Sequence, residues 1–398
     1  MMLSSRAQAL EPSTTLAIDE RARTLSAQGI KIWNFGAGQP DFPTPRIAAE
    51  AGEAAIREGK TRYTASNGTA ELRRAIAEKL ERENGFAVEP KCVLVSNGAK
   101  QSLYVLLAAV LDPGDEVIVP APYWVSYPEQ IKLLGGVPRF VRSDEQTGFR
   151  MTAEALRSVI TPRTRAVILN TPVNPSGAVY PRAELVALAQ VIVDHDLLLI
   201  TDEIYEKILY DRAEHVSAAS LGPEVARRTA TVHGVSKAYS MTGWRIGYAA
   251  GPAEWIEAAG GIQSHLSGNA CSISQEAAIA ALTGAAAEVA QMVTTFARRR
   301  ERVLGWLAKA NALSICAPQG TFYAFPDVSS LFGAATNGRR IADGNDLATY
   351  LLDEARVAIV PGEAFGSPRH LRISFATSDE MIDGGLSALV EALNRLTK

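Results

Sequence analysis

Five short apolar runs punctuate the chain between residues 92 and 234, and each gives way to a polar turn. They are CVLVS (92–96), DEVIVP (115–120), RAVILN (165–170), DLLLIT (196–201) and TATVHG (229–234). Rich in Val, Ile and Leu and largely without alternation, they suit strands buried on both faces of a parallel or mostly parallel sheet. Helical patterns such as PRAELVALAQVIVDHD (181–196) supply the crossovers, which makes the fold class α/β. Downstream the pattern changes. QMVTTFARRRERVLGWLAKA (291–310) has the period of a long amphipathic helix, and the run Arg298–Arg302 reads as its solvated face. GTFYAFPDV (320–328), RVAIVPG (356–362) and HLRISFAT (370–377) look like strands of a smaller α+β unit. The segment IWNFGAGQPDFPTP (32–45) joins that unit or bridges the two lobes. These breaks predict an N-terminal arm at 1–46, a large domain at 47–290 and a small domain at 291–398.

Bulk composition narrows the class of protein. The 398 residues suffice for two or three lobes, and 47% hydrophobic with 21% charged residues is ordinary for a soluble globular chain. A net charge of -3 gives no electrostatic reason to expect nucleic acid or an anionic membrane as partner. Cys92, Cys271 and Cys316 are far apart and form no CxxC pair, which fits thiols in a reducing compartment. The five histidines show no HxxxH or HxH spacing, so no metal is expected. No apolar signal region opens the chain. The stretch YVLLAAVL (104–111) is far shorter than the ~20 residues of a membrane span. A cytoplasmic protein is expected.

Polar residues with chemical capacity cluster where the predicted strands end: Gly98 and Lys100, Trp124, Asn174, Asp202 and Tyr205, Ser236 and Lys237. In open α/β sheets ligands bind outside the carboxyl ends of the strands, so one shared site is expected. Lys237 lies in GVSKAYSMTGWRIG, among small residues and near Arg245. Lysines are mostly solvated surface charges. A nearby cation and partial desolvation would instead favour a neutral amine fit for Schiff-base chemistry. Asp202 caps a helix or serves as counter-ion to a protonated heteroaromatic nitrogen. SNGAKQ (96–101) offers backbone N–H groups at a strand-to-helix turn, which suits a phosphate, although no Walker spacing is present. Trp124 is a core aromatic or a ring that stacks on a flat cofactor. Arg372 is an exposed strand arginine or a bidentate carboxylate clamp.

Taken together, NPSG, DEIY, SKAYSMTGWRIGY and RISFAT, in this order and spacing, resemble class I pyridoxal-phosphate aminotransferases of fold type I. AGQPDF, APYWVSYP and MTGWRIGYAAGP are similar above all to the bacterial aspartate aminotransferase subgroup. The resemblance implies a large domain with a mostly parallel seven-stranded sheet and a smaller α+β domain. It implies pyridoxal 5'-phosphate attached at Lys237, which also moves the substrate proton. Asp202 would face the pyridinium nitrogen, and Tyr205 and Asn174 the phenolic oxygen. Trp124 would stack on the ring. Gly98, Ala99 and Lys100, with Ser236 and Arg245, would hold the phosphate, and Tyr63 would reach that of a neighbouring subunit. Arg372, Asn174, Trp124 and the backbone of Gly38 would hold the substrate α-carboxylate end. Lys100 would meet a distal carboxylate, favouring aspartate or glutamate as donor and a 2-oxo acid as acceptor. A homodimer with shared sites follows, as does a cis Asn174–Pro175 bond. Departures from the subgroup lie at Glu11, Gln39 and SHLSGNACSISQ (264–275), near the substrate mouth; an acid at Glu11 argues against prephenate. Other donors, a lyase of the same cofactor and a non-catalytic regulator remain open alternatives.

Overall fold

The computed structural model describes residues 4, 8, 14–310, 312–336 and 339–397. Glu11 therefore lies outside the described residues. A seven-stranded sheet forms the centre. Its strands are β2 (Val93–Ser96), β3 (Glu116–Ala121), β4 (Val137–Arg142), β5 (Thr164–Asn170), β6 (Leu198–Asp202), β7 (Thr229–Gly234) and β8 (Gly247–Ala250). They are ordered β2-β8-β7-β6-β5-β3-β4. β8 runs antiparallel to both neighbours, and the remaining pairs are parallel. Two antiparallel steps leave β2 pointing the same way as β7. The carboxyl ends of β2, β3, β5, β6 and β7 therefore share one edge.

The lack of alternation in these strands has a direct cause. Along β5, Ala166 and Ile168 pack with Leu103, Leu106, Trp255 and Ile256 from helices Ala99–Ala108 and Ala253–Leu266. Val167 and Leu169 point the other way, onto Leu185, Leu188 and Ile192 of helix Arg182–Asp194. With both faces covered, apolar side chains are stabilised at every position. The pattern did not reveal β4 and β8. β4 is a mostly exposed edge strand whose two arginines interrupt its apolar residues, and β8 reads GYAA, too small to register as an apolar run. DEIYEKILY forms turns rather than a helix, and its Asp202 accepts from Ile204 N at 3.3 Å.

The C-terminal part packs helices Ala286–Leu307, Gly344–Ala355 and Asp379–Asn394 with a three-stranded antiparallel sheet. Its strands are β9 (Tyr323–Ala324), β13 (Val360–Pro361) and β14 (Leu371–Ser374), while β1 (Trp33–Asn34) pairs in parallel with β12 (Val357–Ala358). A cluster including Phe35, Phe296, Phe322, Phe375 and Leu386 forms its core. The arginine run departs from expectation here. Arg299 and Arg300 are only 7% and 6% exposed, so they are not a solvated face. Helical pitch turns them inward, where Arg299 binds Asp41 and Arg300 binds Asp211 and Pro318 O. Only Arg298 and Arg302 reach outward, to Asp379 and Asp383.

One glycine ties the sheet to the site. Gly247 opens β8 where it passes the 98–99 turn, and a Cβ there would lie 2.0 Å from Ala99 N and 2.3 Å from Gly98 C. Gly247→Ala is expected to cost about 1–3 kcal/mol or more, because the obstacle is backbone. The measurement is urea unfolding: a lower midpoint at unchanged m-value. A wild-type midpoint would mean that the turn yields freely.

Candidate active site

Residues from all these strand ends converge on one cavity of about 350 Å³. Its lining includes Gly38, Ala99, Lys100, Trp124, Asn174, Asp202, Tyr205, Ser236, Lys237, Arg245 and Arg372. Gly98 stands directly behind it at a φ of +87°, the N-cap of helix Ala99–Ala108. Any Cβ on Gly98 would sit 2.3 Å from Arg245 Nη2, so glycine is what lets the guanidinium close over the turn. Arg245 donates to Thr242 O at 3.0 Å and Asn97 O at 3.4 Å, and no carboxylate among the described residues pairs with it. Unpaired helix N–H groups, a helix dipole and a guanidinium without a carboxylate partner meet here, which is an anion cradle.

Lys237 follows β7 and turns back into the cavity, where its Nζ donates to Gly38 O at 2.6 Å. Loss of hydration lowers the amine, and the cations Arg372 and Arg245 lower it further, to about 8. Asp202 is 3% exposed at the end of β6. Burial pushes its carboxyl upward, opposed by the hydrogen bonds from Tyr127 and Ile204 N. The Tyr127 hydroxyl donates to Asp202 Oδ2 at 2.7 Å, while Asn170 Nδ2 holds the Asp202 carbonyl at 2.8 Å. Trp124 packs edge-on to Tyr127 at 5.4 Å, with the Lys100 ammonium 5.0 Å from its ring centroid. Desolvation and then Arg245 depress the Lys100 amine.

Arg372 comes from β14, on the far wall. It is 3% exposed, so it is not a surface arginine. Its Nη1 donates to Asn174 Oδ1 at 3.2 Å and its Nη2 to Gly36 O at 2.9 Å. Its Nε is buried without a hydrogen-bond partner, and no carboxylate among the described residues neutralises it. The guanidinium lies 4.4 Å over the Tyr323 ring, and the Tyr323 and Tyr205 hydroxyls meet at 3.0 Å. Both phenols are pushed up, chiefly by burial. Asn174 is fixed by its backbone N–H to Asn170 Oδ1 at 2.8 Å and by a cis bond to Pro175.

Most residues singled out in the sequence are therefore neighbours. Tyr63 is the exception: at 98% exposure it stands away from this cavity. Tyr127, Asn170, Tyr323 and Gly36 belong to the site without having been marked. Tyr127 lies three residues after Trp124 in APYWVSYP, and Tyr323 lies in GTFYAFPDV, so both read as core aromatics. Two acid–histidine groups elsewhere, Glu145–Asp327–His370 and Glu203–Glu206–His215, lie outside the cavity. Arg369 pairs with Asp327 and Lys79 with Glu206, which offsets their charge.

Residues 30–389 match the family described as aminotransferase class I and II. The chain is 47% identical over 396 residues to an aspartate aminotransferase of Geobacillus stearothermophilus, covering 100% of this chain and 98% of the relative. It is 47% identical over 382 residues to an aspartate/prephenate aminotransferase of Cereibacter sphaeroides, covering 96% of each. The crystal structure of the aspartate aminotransferase of Rhizobium meliloti matches with a TM-score of 0.97 at 44% identity, covering 100% of both chains. That of the Thermus thermophilus aspartate aminotransferase with maleate matches with a TM-score of 0.93 at 42% identity, covering 98% of this chain and 100% of that one. Matched along almost its whole length in sequence and in fold, the chain belongs to the class I and II aminotransferase family.

Proposed function

We propose that this chain transfers an amino group from L-aspartate or L-glutamate to a 2-oxo acid, with pyridoxal 5'-phosphate as cofactor. The observation that carries the reading is Arg372: a buried guanidinium with no carboxylate of its own, facing a cavity that holds a lysine of lowered pKa. The donor set fits the cofactor. The Gly98–Lys100 turn, Arg245 and Ser236 suit its phosphate, Asp202 its ring nitrogen, Tyr205 and Asn174 its phenolic oxygen, and Trp124 its flat face. Pyridoxal phosphate supplies, when bound, an electron sink for the pair released as a Cα–H bond breaks.

The chain's residues supply the remainder. Arg372 orients the α-carboxylate by a planar fork, and Asn174 holds that fork from one side. The Lys237 amine is neutral often enough at mild pH to act as nucleophile and then as carrier of the proton. Asp202, oriented by the Tyr127 hydroxyl, would hold the ring nitrogen of a bound cofactor. Lys100 offers a part-desolvated cation to a second carboxylate. The Thermus relative's structure contains maleate, a dicarboxylate, which supports this role. The same groups working in reverse on a 2-oxo acid give ping-pong turnover. A second copy of the chain is part of the reading, because the exposed Tyr63 has no ligand in its own subunit's cavity. The division into 1–46, 47–290 and 291–398 is also kept as a proposal, though helix Ala286–Leu307 runs through the 290/291 divide. Three unpaired cysteines support a cytoplasmic setting. Among the described residues no single helix is long and apolar enough to cross a membrane.

Lys100→Ala is expected to raise KM for aspartate and glutamate by about tenfold or more, with alanine changed by less than about twofold. Steady-state turnover with the three donors checks this, and an unchanged aspartate KM would remove Lys100 from substrate selection. The amine state of Lys237 predicts a pH profile. The neutral form is the nucleophile, so covalent capture of pyridoxal phosphate by cofactor-free protein should accelerate as pH rises through about 8. Arg372→Leu removes a cation that opposes protonation, so the midpoint should move to higher pH. Stopped-flow absorbance reads both; a midpoint that stays put would mean that Arg372 does not act on the amine.

A further inference from the structure

Segment 36–42 crosses the mouth of the cavity without regular secondary structure. Its carbonyls are used by the site: Gly36 O takes Arg372 Nη2 at 2.9 Å, and Gly38 O takes Lys237 Nζ at 2.6 Å. Phe35, one residue earlier, is laddered to Ala358 O and Ser374 N, but neither carbonyl has a ladder partner of its own, so beyond Gly36 they are placed by whatever anchors the segment. On the lysine side the anchors are weak or neutral: Thr242 Oγ1 to Gln39 Oε1 at 3.2 Å, and Ser240 Oγ to Phe42 O. On the other side stands a different kind of contact. Arg299 donates Nη1 to Asp41 Oδ1 at 2.7 Å and Nη2 to Asp41 Oδ2 at 2.8 Å, a two-pronged pair. The arginine is 7% exposed, lies 5.2 Å from the Phe42 ring, and sends Nε to Asp379 Oδ1 at 3.4 Å. Phe42 in turn meets Phe296 edge-on at 5.3 Å. A planar fork engaged by both prongs fixes direction as well as distance, which a lysine cannot do.

We infer that Arg299 is a positioning residue of this active site: through Asp41 it sets segment 36–42 so that two backbone carbonyls meet the carboxylate-binding arginine and the reactive lysine. The inference rests on the roles proposed above for Arg372 and Lys237. It gives a role to Arg299, one of the two arginines, with Arg300, that this helix buries. It also separates two parts of the site. The phosphate turn and Asp202 stand on the large sheet and do not depend on Asp41. The carboxylate clamp does.

The test uses the holoenzyme and the unreactive dicarboxylate succinate. Arg299→Lys and Asp41→Asn are each expected to weaken succinate binding in calorimetry by about tenfold, because small misplacements of a clamp are costly. KM for aspartate should rise in parallel with a smaller change in kcat, while cofactor affinity stays within about twofold of wild type. Since the two residues act as one unit, the double variant should bind no more weakly than the weaker single variant. Should Arg299→Lys fail to fold, Asp41→Asn, which keeps the size of the side chain, decides by the same succinate Kd. Wild-type succinate affinity in the folded variants, or losses that simply add in the double variant, would overturn the inference. Wild-type protein that neither binds succinate nor transaminates aspartate would overturn the proposed function, and this inference with it.

Discussion

Four cationic side chains and one carboxylate line the cavity: Lys100, Lys237, Arg245 and Arg372 against Asp202. Such a set cannot be balanced from within the chain. The imbalance has consequences that can be read directly. Lys237 loses proton affinity because desolvation is joined by two guanidinium neighbours. The Lys100 amine is lowered too, by desolvation and then by Arg245. Arg372 keeps a buried Nε without a hydrogen-bond partner, a cost that a carboxylate oxygen placed there would remove. A phosphate and one or two carboxylates are the complement such a cavity takes. In the proposed function the cofactor brings the phosphate and the substrate brings the carboxylates.

The backbone makes that concentration of charge possible. Parallel strands deliver their carboxyl ends to one edge, and glycine at 98 and 247 lets the 98–99 turn, β8 and Arg245 close upon one another. Asp202 is stabilised in place by Tyr127 and Asn170, so the single negative group does not wander toward the surrounding cations. The far wall is built differently. Arg372 sits on a short strand of the C-terminal sheet, and segment 36–42 links that strand to the lysine loop. In the proposed function, cofactor-facing and substrate-facing groups thus rest on separate supports, joined by a segment held to helix Ala286–Leu307 by the Arg299–Asp41 pair and the Phe42–Phe296 contact.

Much of this was legible in the chain itself. Lys237, Asp202 and Arg372 each had an ordinary structural reading alone, as surface lysine, helix cap and strand arginine, and became legible only as a set with the other strand-end residues and the family resemblance; the strands were legible because both faces are buried. Tyr127 and Tyr323 were not, since a buried phenol that orients a carboxylate looks in sequence like any core aromatic. Arg299 was misread for a related reason: a run of arginines resembles a solvated face until a partner such as Asp41, far away in sequence, turns one inward. β8 escaped notice because GYAA carries almost no apolar signal, although its Gly247 is what admits the 98–99 turn. The expected role of Tyr63 depends on a second copy of the chain, which no reading of one subunit supplies.

The central claim is that Lys237 carries the proton at a site whose arginine grips the substrate carboxylate. Single-turnover absorbance most directly tests it: holoenzyme mixed with L-aspartate in the absence of any 2-oxo acid, for wild type and Lys237→Ala. Wild type should convert its cofactor spectrum and release a stoichiometric amount of the 2-oxo acid. Lys237→Ala should be slower by at least about 10²–10⁴-fold, the usual worth of a positioned acid–base group. Conversion by Lys237→Ala at the wild-type rate would contradict the account.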